Sequence, residues 1–200
     1  MARPRTFDET AVLEAAAAQF RVHGYADTST EQLCEAADVR RSSLYNAFTS
    51  KDELFVRALE HYAATMRGRQ ASILTDASLS GADRLRKLVD AIIGEERAAR
   101  SEGHAAGCMG VHTLMNPALR ARDERIARIL ERDLRERLGL LEDTIRVGRT
   151  DGSIPEGHDA AEGALLVNTL IAGLRVTAQT GVTPEVLHRI ALDGLRSLLA

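Results

Sequence analysis

The strongest constraint on the fold lies in residues 28–55, TSTEQLCEAADVRRSSLYNAFTSKDELF. This segment has the pattern of two short helices joined by a tight turn and followed at once by the start of a third. Asp38 stands at the turn, where a left-handed backbone is expected, and Asp tolerates that conformation better than most residues other than Gly. The segment therefore predicts a helix-turn-helix, which places its second helix in the major groove of DNA.

Spacing within the segment predicts where two of its helices begin. Thr28 with Glu31, and Ser50 with Glu53, have the spacing of capping boxes. In a capping box the hydroxyl and the acidic side chain each satisfy a backbone N–H that the helix leaves unpaired. We therefore expect helix starts at both places.

The second helix of the segment has an apolar side and a polar side. Leu44 and Phe48, spaced i and i+4, are expected to anchor it to the core. The residues left outside carry hydrogen-bond donors and positive charge: Arg40, Arg41, Ser42, Tyr45 and Asn46. An ordinary αα-hairpin with a solvated polar face is the competing interpretation of the same spacing.

The charge of the chain is unusual for a DNA-binding protein, because its formal net value is −3. Residues 1–60 contain seven Lys and Arg against ten Asp and Glu. Between Val39 and Lys51, however, three residues are basic and none is acidic. A local basic patch on an acidic protein can bind DNA specifically while the overall charge suppresses non-specific affinity.

The rest of the chain is helical by pattern, because no sustained alternation of polar and apolar residues indicates a strand. We expect Asp8 to cap the first helix and Gly24 to end it. The fold class is predicted to be all-α, with helices over about residues 8–23, 51–74, 81–100, 105–115, 118–149, 159–180 and 184–199.

Several functional classes are disfavoured. No run approaches the roughly 18 to 20 apolar residues of a membrane span, and no export signal is evident. Cys34 and Cys108 are far apart in the chain and do not suggest a disulfide framework, so a reducing cytoplasm is expected. Because no phosphate-binding loop, nucleophile elbow or H-E-x-x-H motif is present, we expect neither an enzyme nor a cofactor.

The last two predicted helices are unusually apolar. Small residues such as Gly163 and Gly173 alternate there with Leu and Val. Helices of this kind at the end of a chain are expected to pack against a second copy, so residues of about 159–199 predict a homodimer interface. A two-fold dimer presents two recognition helices to successive major-groove faces, so the operator should be a near-palindrome.

A control site is expected in the sequence GHAAGCMGVHTLMNPAL. Cys108 and His112 share one predicted helix face, and Met109 and Met115 add apolar surface. A ligand pocket, a sensing thiol near a helix N-terminus, a metal site and a purely structural Cys108 are the competing interpretations. His104, Cys108 and His112 span about 12 Å of helix and cannot reach one ion together, so no metal site is predicted.

Two polar residues of the apolar C-terminal helices, Asn168 and Arg175, are further candidates for the pocket wall, with the dimer interface as their alternative location. No Phe, Tyr or Trp follows Tyr62 in the chain. A flat aromatic ligand would therefore find few stacking partners in the C-terminal half. We expect a small or aliphatic effector, with an electrophile as one candidate.

Several spaced elements together resemble the N-terminal DNA-binding domain of the TetR family of bacterial regulators. They are TAVLEAAAAQFRVHGYADTS, EAADV, SSLYNAF and SKDELF, in that order. Two positions depart from the family pattern. Asp38 replaces the usual Gly of the turn, and Ala47 replaces a His that often precedes the last aromatic residue of the recognition helix.

The resemblance implies roles for the matching positions. Arg41, Ser42 and Tyr45 would touch base edges or adjoining phosphates, and Arg is the commonest reader of guanine. The positions that usually clamp phosphates are Thr28, Ser43, Tyr45 and Lys51. Arg3 and Arg5 precede the first helix and would add contacts from an N-terminal arm.

The resemblance also implies the organisation and function of the whole chain. A helix-turn-helix domain would occupy residues 1–53, and a helical effector-binding and dimerisation domain would occupy residues 54–200. The implied function is a transcriptional repressor that a small-molecule effector releases from double-stranded DNA. A thiol- or electrophile-responsive regulator acting through Cys108 remains an alternative, as does a helical dimeric protein or enzyme with no role at DNA.

Overall fold

The computed structural model of this chain describes residues 8–157 and 159–199. Over these residues it contains ten helices and no strand, which confirms the all-α fold. The helices are α1 (Glu9–His23), α2 (Thr30–Ala36), α3 (Arg41–Phe48), α4 (Lys51–Leu74), α5 (Gly81–Ser101), α6 (Met109–Leu114), α7 (Pro117–Arg122), α8 (Glu124–Thr150), α9 (Ala160–Ala178) and α10 (Pro184–Leu199).

Helix α1 and the turn between α2 and α3 follow the sequence prediction. The Asp8 side chain caps α1 by accepting the N–H of Ala11 at 3.2 Å. The helix ends at Gly24, whose φ of 76° lies in the left-handed region that Gly adopts readily. Asp38 has a φ of 51°, so the residue expected at the turn does adopt a left-handed backbone.

The first predicted capping box lies one residue too early in the sequence. The cap of α2 is Ser29, whose hydroxyl accepts the Gln32 N–H at 3.2 Å. Gln32 Oε1 in turn accepts the Ser29 N–H at 2.7 Å, which completes the box. The pairing of Thr28 with Glu31 was therefore wrong, although a capping box does open this helix.

The second predicted capping box is half confirmed. The Ser50 hydroxyl accepts the Glu53 N–H at 3.0 Å and opens α4 at the expected residue. The Glu53 carboxylate, however, accepts a hydrogen bond from Arg125 NH2 at 2.7 Å. Glu53 therefore joins α4 to α8.

The helix predicted over residues 118–149 is interrupted, so its continuity was predicted wrongly. Asp123 has extended backbone, with φ −149° and ψ 121°, and separates α7 from α8. Its side chain accepts the Arg125 N–H at 2.9 Å and thereby caps α8. The helix predicted over 105–115 is also shorter, because Gly107 has a φ of 64° and Cys108 is extended.

Two hydrophobic clusters form the interior. The C-terminal cluster combines α5, α8, α9 and α10 with the end of α4. The N-terminal cluster combines α1 to α4 with Met109, Leu119, Ile126 and Ile129 from α6, α7 and α8. The N-terminal head, α1 to α3 with the start of α4, therefore shares its core with later helices. Helix α4 runs unbroken through the domain boundary predicted after residue 53.

The far end of α4 is held by two neighbouring helices. Its last carbonyl, that of Leu74, accepts hydrogen bonds from Arg84 NH1 at 3.1 Å and Thr144 Oγ1 at 3.2 Å. Close packing of α5 on α8 supports this anchor, since a Cβ on Gly81 would lie 2.4 Å from the Gly148 Cα. Any movement of α4 would therefore be largest at its head end.

Helix α9 is apolar, as the sequence predicts. Among the described helices it is the one whose length and mean hydropathy, 1.2, would suffice to cross a membrane. One face of α9 packs into the C-terminal cluster against α8 and α10. A buried core helix has the same length and composition, so this feature alone identifies no membrane protein.

Candidate DNA interface and effector region

Helix α3 presents a polar face to solvent. Leu44 and Phe48 are buried, so the predicted anchors do face the core. Of the residues predicted to contact DNA, Ser43, Tyr45 and Lys51 are half-buried, and the exposed ones are Arg40, Arg41, Ser42 and Asn46. The arrangement can place several donors and two cations in a groove at once.

Side chains of α2 hold the face of α3 in place. Arg41 NH1 donates to Glu31 Oε1 at 2.8 Å, and the guanidinium lies 5.5 Å from the centre of the Tyr45 ring. The Tyr45 hydroxyl lies 3.3 Å from Thr30 Oγ1. The pKa of Tyr45 is lowered, first by its hydrogen bond with Thr30 and second by its interaction with Arg41. Arg41 is thus oriented by two neighbours before any DNA is present.

Lys51 belongs to a second cluster, centred on Tyr25. Lys51 Nζ lies 4.3 Å from the centre of the Tyr25 ring, and the Arg122 guanidinium lies 5.3 Å from it. Asp52 accepts a hydrogen bond from the Tyr25 hydroxyl and two from Arg122 at 3.2 Å. The pKa of Tyr25 is raised to about 12, mainly because the hydroxyl is buried and secondly because it bonds to Asp52. The cluster joins a predicted phosphate clamp to α7.

Thr28 does not belong to the exposed surface. The residue is fully buried, and its hydroxyl donates to the Gly24 carbonyl at 2.6 Å. Its predicted role as a phosphate clamp was therefore wrong, because the side chain has no free surface. Arg3 and Arg5, the predicted N-terminal arm, lie outside the described residues.

In the effector region, Cys108 is the N-cap residue of α6 and is half-buried. Its thiol lies within electrostatic reach of the Tyr62 hydroxyl of α4. The pKa of Tyr62 is raised, mainly because the hydroxyl is buried and secondly because Cys108 can carry a negative charge nearby. The other cysteine, Cys34, lies in the head, where burial raises the pKa of its thiol.

Arg175 lies close to this thiol and takes part in a buried ion pair. The side chain is 7% exposed, contacts Glu95, and places NH1 2.9 Å from Oε1 of Glu96. Burial opposes the charge of Arg175, but the Glu95 carboxylate, with smaller contributions from Tyr62 and Cys108, outweighs burial and raises the pKa of Arg175. Glu96 is 4% exposed, and its second oxygen accepts the backbone N–H of Ala106 at 3.0 Å. One carboxylate therefore joins α9 to the segment between α5 and α6.

The next residue of that segment contacts the N-terminal head. A Cβ on Gly107 would lie 2.8 Å from the carbonyl oxygen of Arg21, which belongs to the last turns of α1. Because Gly107 also has a φ of 64°, a side chain at this position would be strained. The segment Ala106–Gly107–Cys108, called the linker loop below, thus contacts α1, α4 and α5.

The other four residues of the predicted effector site have different surroundings from Cys108 and Arg175. Met109 is buried in the N-terminal cluster, and Met115 is 76% exposed. Asn168 Oδ1 accepts a hydrogen bond from Arg137 Nε at 2.9 Å. His112 is half-buried on α6. A common pocket wall that includes both methionines and Asn168 was therefore predicted wrongly.

Cys108 and Arg175 both lie within electrostatic reach of Tyr62, which itself packs against the N-terminal cluster that contains Met109. Sequence reasoning missed Tyr62 and Glu96. Glu96 follows Ile92 at i, i+4 on the buried side of α5, and a carboxylate at a core-facing position was the available signal. Nothing local marked Tyr62 as the partner of Cys108.

The described residues also limit where other ligands could bind. They contain no group of three His, Cys, Asp or Glu side chains arranged to hold a metal ion. An open cleft of about 250 Å³ lies between α4 and the junction of α7 with α8, and none of the predicted effector residues lines it. Its walls are Asp52, Phe55, Val56, Arg122, Asp123 and Ile126.

Known proteins resemble this chain over its head and over its full length. Residues 12–58 match the family model described as bacterial regulatory proteins, tetR family. The HTH-type transcriptional repressor ComR of Escherichia coli is 28% identical over 205 residues, which cover 97% of this chain and 90% of ComR. The repressor BdcR of Escherichia coli is 32% identical over 114 residues, 56% of each protein.

Solved structures extend the similarity to the whole fold. The TetR family transcriptional regulator CifR, a cysteine mutant complexed with 26-bp double-strand operator DNA, is 30% identical with a TM-score of 0.78, covering 98% of this chain and 100% of that chain. The reduced form of NemR from Escherichia coli has a TM-score of 0.78 at 20% identity, over 96% of this chain and 98% of that chain. The latter likeness concerns the fold alone.

The buried ion pair generates a prediction about stability. Arg175→Ala removes the guanidinium and leaves the buried Glu96 carboxylate with less compensation, so the free energy of unfolding should fall by about 3 to 5 kcal/mol. Urea denaturation measures the change. Arg196→Ala is the control, because Arg196 has a side chain 78% exposed and pairs with Asp193 on the surface. That variant should lose less than about 1 kcal/mol; equal losses would contradict the role of the buried pair.

Proposed function

Because this chain belongs to the TetR family of bacterial regulators and binds DNA, we propose that it is a repressor released from a near-palindromic operator by a small-molecule effector. The observation that carries the proposal is the exposed, acid-free face of α3 behind the turn at Asp38. The names of ComR and BdcR as repressors, and the operator bound by CifR, support it.

At the operator, we propose that α3 enters the major groove. Arg41, Ser42 and Tyr45 would read base edges, while Ser43 and Lys51 would hold phosphates, with Arg40 and Asn46 beside them. Arg can pair with O6 and N7 of guanine, which explains why Arg41 is the principal candidate reader. Lys51 lies in the first turn of α4, where unpaired N–H groups also favour an anion.

The reading role of Arg41 can be measured on an operator recovered by selection from random DNA. Arg41→Ala should weaken operator binding by about 1 to 3 kcal/mol and relax the preference at one base position. Arg69 is an exposed residue of α4 outside the head, so Arg69→Ala is the control. It should change neither the operator affinity nor the base preference. Gel shifts at rising salt separate specific from non-specific complexes. An unaltered base preference in Arg41→Ala would remove it as a reader.

We also propose that α9 and α10 form the dimer interface. Their solvent-facing sides carry exposed apolar residues, with Leu165 54%, Val176 52% and Ile190 49% exposed. Apolar side chains concentrated on one surface commonly mark a protein–protein contact. A two-fold pair would present one copy of α3 to each operator half-site.

The dimer has its own test. Leu165→Glu places a charge in the proposed interface, so sedimentation velocity should show a shift toward monomer and operator binding should weaken. Met115→Glu, at a residue 76% exposed on a different part of the surface, is the matched control. A Leu165→Glu protein that stays as dimeric as the control would contradict this interface.

For release, we propose that the signal acts at the linker loop. Cys108 lies within electrostatic reach of Tyr62 on α4, and Gly107 lies against the end of α1, so a displaced loop would push on α1 and α4. The far end of α4 is anchored at Leu74, and its head end would therefore move. Coupling between effector and DNA of about 1 to 3 kcal/mol would suffice to lower operator occupancy.

A second candidate is direct sensing of electrophiles by the Cys108 thiol. The observation that favours it is a free, half-buried thiol at the N-cap of α6, within electrostatic reach of Tyr62 and Arg175. In such a reaction the thiol proton passes to solvent and the thiolate sulfur bonds to one carbon of an activated C=C double bond. The π electrons of that double bond move to the neighbouring carbon, which takes up a proton from solvent. The bulky adduct would separate Cys108 from Tyr62.

N-ethylmaleimide provides the probe for this second candidate. Its treatment should weaken operator binding about fivefold or more in the natural sequence and in Cys34→Ala, but not in Cys108→Ala. Cys34→Ala is the control because it removes the other free thiol and keeps Cys108. Loss of binding in treated Cys108→Ala would exclude thiol sensing at this residue and leave the small-molecule effector.

We infer that the regulator works in the cytoplasm, without a cofactor and without catalysis. Both cysteines are free, which suits a reducing compartment. The chemistry available around Cys108 lacks an evident group to orient a catalytic base, which favours signal reception over turnover.

A further inference from the structure

Two cations from different parts of the chain lie against one aromatic ring. Lys51 Nζ, at the start of α4, lies 4.3 Å from the centre of the Tyr25 ring, and the guanidinium of Arg122, at the end of α7, lies 5.3 Å from it. The ring is held by two others, because the ring centres of Phe20 and Phe55 lie 6.1 Å and 5.2 Å from that of Tyr25. A fixed aromatic side chain thus brings a cation of a later helix next to one of the N-terminal head.

The ion pair that Arg122 forms leaves part of its guanidinium available. Asp52 accepts hydrogen bonds from Nε and NH2 of Arg122, each at 3.2 Å. A guanidinium carries five N–H donors, so NH1 and the second proton of NH2 can donate elsewhere while this pair persists. The Arg122 side chain is 52% exposed, so an anion in solvent can reach it. Arg122 can therefore hold an anion without giving up its present partner.

The location of Arg122 suits the DNA backbone. If α3 enters the major groove as proposed, Lys51 lies at the phosphates beside that groove. Phosphates on one strand recur about every 3.4 Å of the helix axis, so two cations on one ring suit the same phosphate or neighbouring ones. Packing on Tyr25 and bonding to Asp52 also hold Arg122 in place before DNA arrives, which lowers the entropy cost of a contact.

We propose that Arg122 is a further DNA-binding residue, which contacts the phosphate backbone next to Lys51. The proposal rests on the entry of α3 into the groove and on the phosphate role proposed for Lys51. It places one DNA contact on α7, outside the helix-turn-helix. Because contacts with phosphates carry no direct sequence information, Arg122 strengthens binding without selecting bases.

The experiment measures the operator Kd at several salt concentrations. Each phosphate contact contributes about 0.9 to the slope of log K against log salt, so Arg122→Gln should weaken binding and reduce the slope by about 0.9 per subunit. The base preference should stay unchanged. Arg125→Gln is the matched control, because Arg125 is 44% exposed, lies three residues further on and pairs with Glu53. Equal reductions in both variants would indicate a general charge effect and overturn the proposal.

A second background separates a phosphate contact from mere neutralisation of Asp52, whose carboxylate would repel the same phosphates. Asp52→Asn removes that charge and keeps a side-chain oxygen that can accept from the Tyr25 hydroxyl. In this background Arg122→Gln should reduce the slope as much as it does in the natural sequence. If the effect of Arg122→Gln disappears there, Arg122 serves only as the partner of Asp52 and the proposal is overturned.

Lys51→Gln separates this inference from the function on which it rests. If Lys51→Gln reduces the slope and Arg122→Gln does not, the inference is overturned and the proposed mode of DNA binding survives. If neither variant changes the slope, the inference and the phosphate role of Lys51 are overturned together. Thermal melting of each variant confirms that the fold is retained.

Discussion

The buried ion pair between Arg175 and Glu96 is the interaction on which the arrangement of the two ends of this protein depends. A charge in an apolar core is tolerated only with close partners, so α9 and α5 must meet where these two side chains meet. The second carboxylate oxygen of Glu96 accepts the Ala106 N–H, so the same carboxylate also fixes the start of the linker loop. From there the close contact of Gly107 with α1 reaches the DNA-binding head.

The head shows a different use of charge. Its recognition surface combines exposed arginines with a neighbouring carboxylate, and its charges lie where water screens them. Interactions of this kind contribute little to folding. Buried charges thus organise the body of the protein, whereas the exposed charges of α3 lie at a surface open to solvent. Arg122 and Asp52 connect the two regions, because their contact joins α7 to the start of α4 beside Lys51.

Sequence reasoning succeeded where the cause of structure is local. Asp8, Ser50 and Asp38 act within three or four residues of their own positions, so capping and turn preferences located them. It failed where neighbours offered equal local choices. Thr28, Ser29 and Thr30 can all cap a helix, and burial of Thr28 under the end of α1 decides that Ser29 does so. The break at Asp123 was likewise missed, because the spacing of apolar residues around it predicts one continuous helix.

The sequence by itself determined the all-α class, the helix-turn-helix and the face of α3 that meets solvent, because helical periodicity and short-range hydrogen bonds encode them. It also singled out Cys108 and Arg175 as candidates. Only the tertiary structure decided that these two residues share a centre with Tyr62 and Glu96, while Met115 and Asn168 do not. The physical reason is that partners of buried polar groups are chosen by helix packing, which brings together residues many turns apart in the chain.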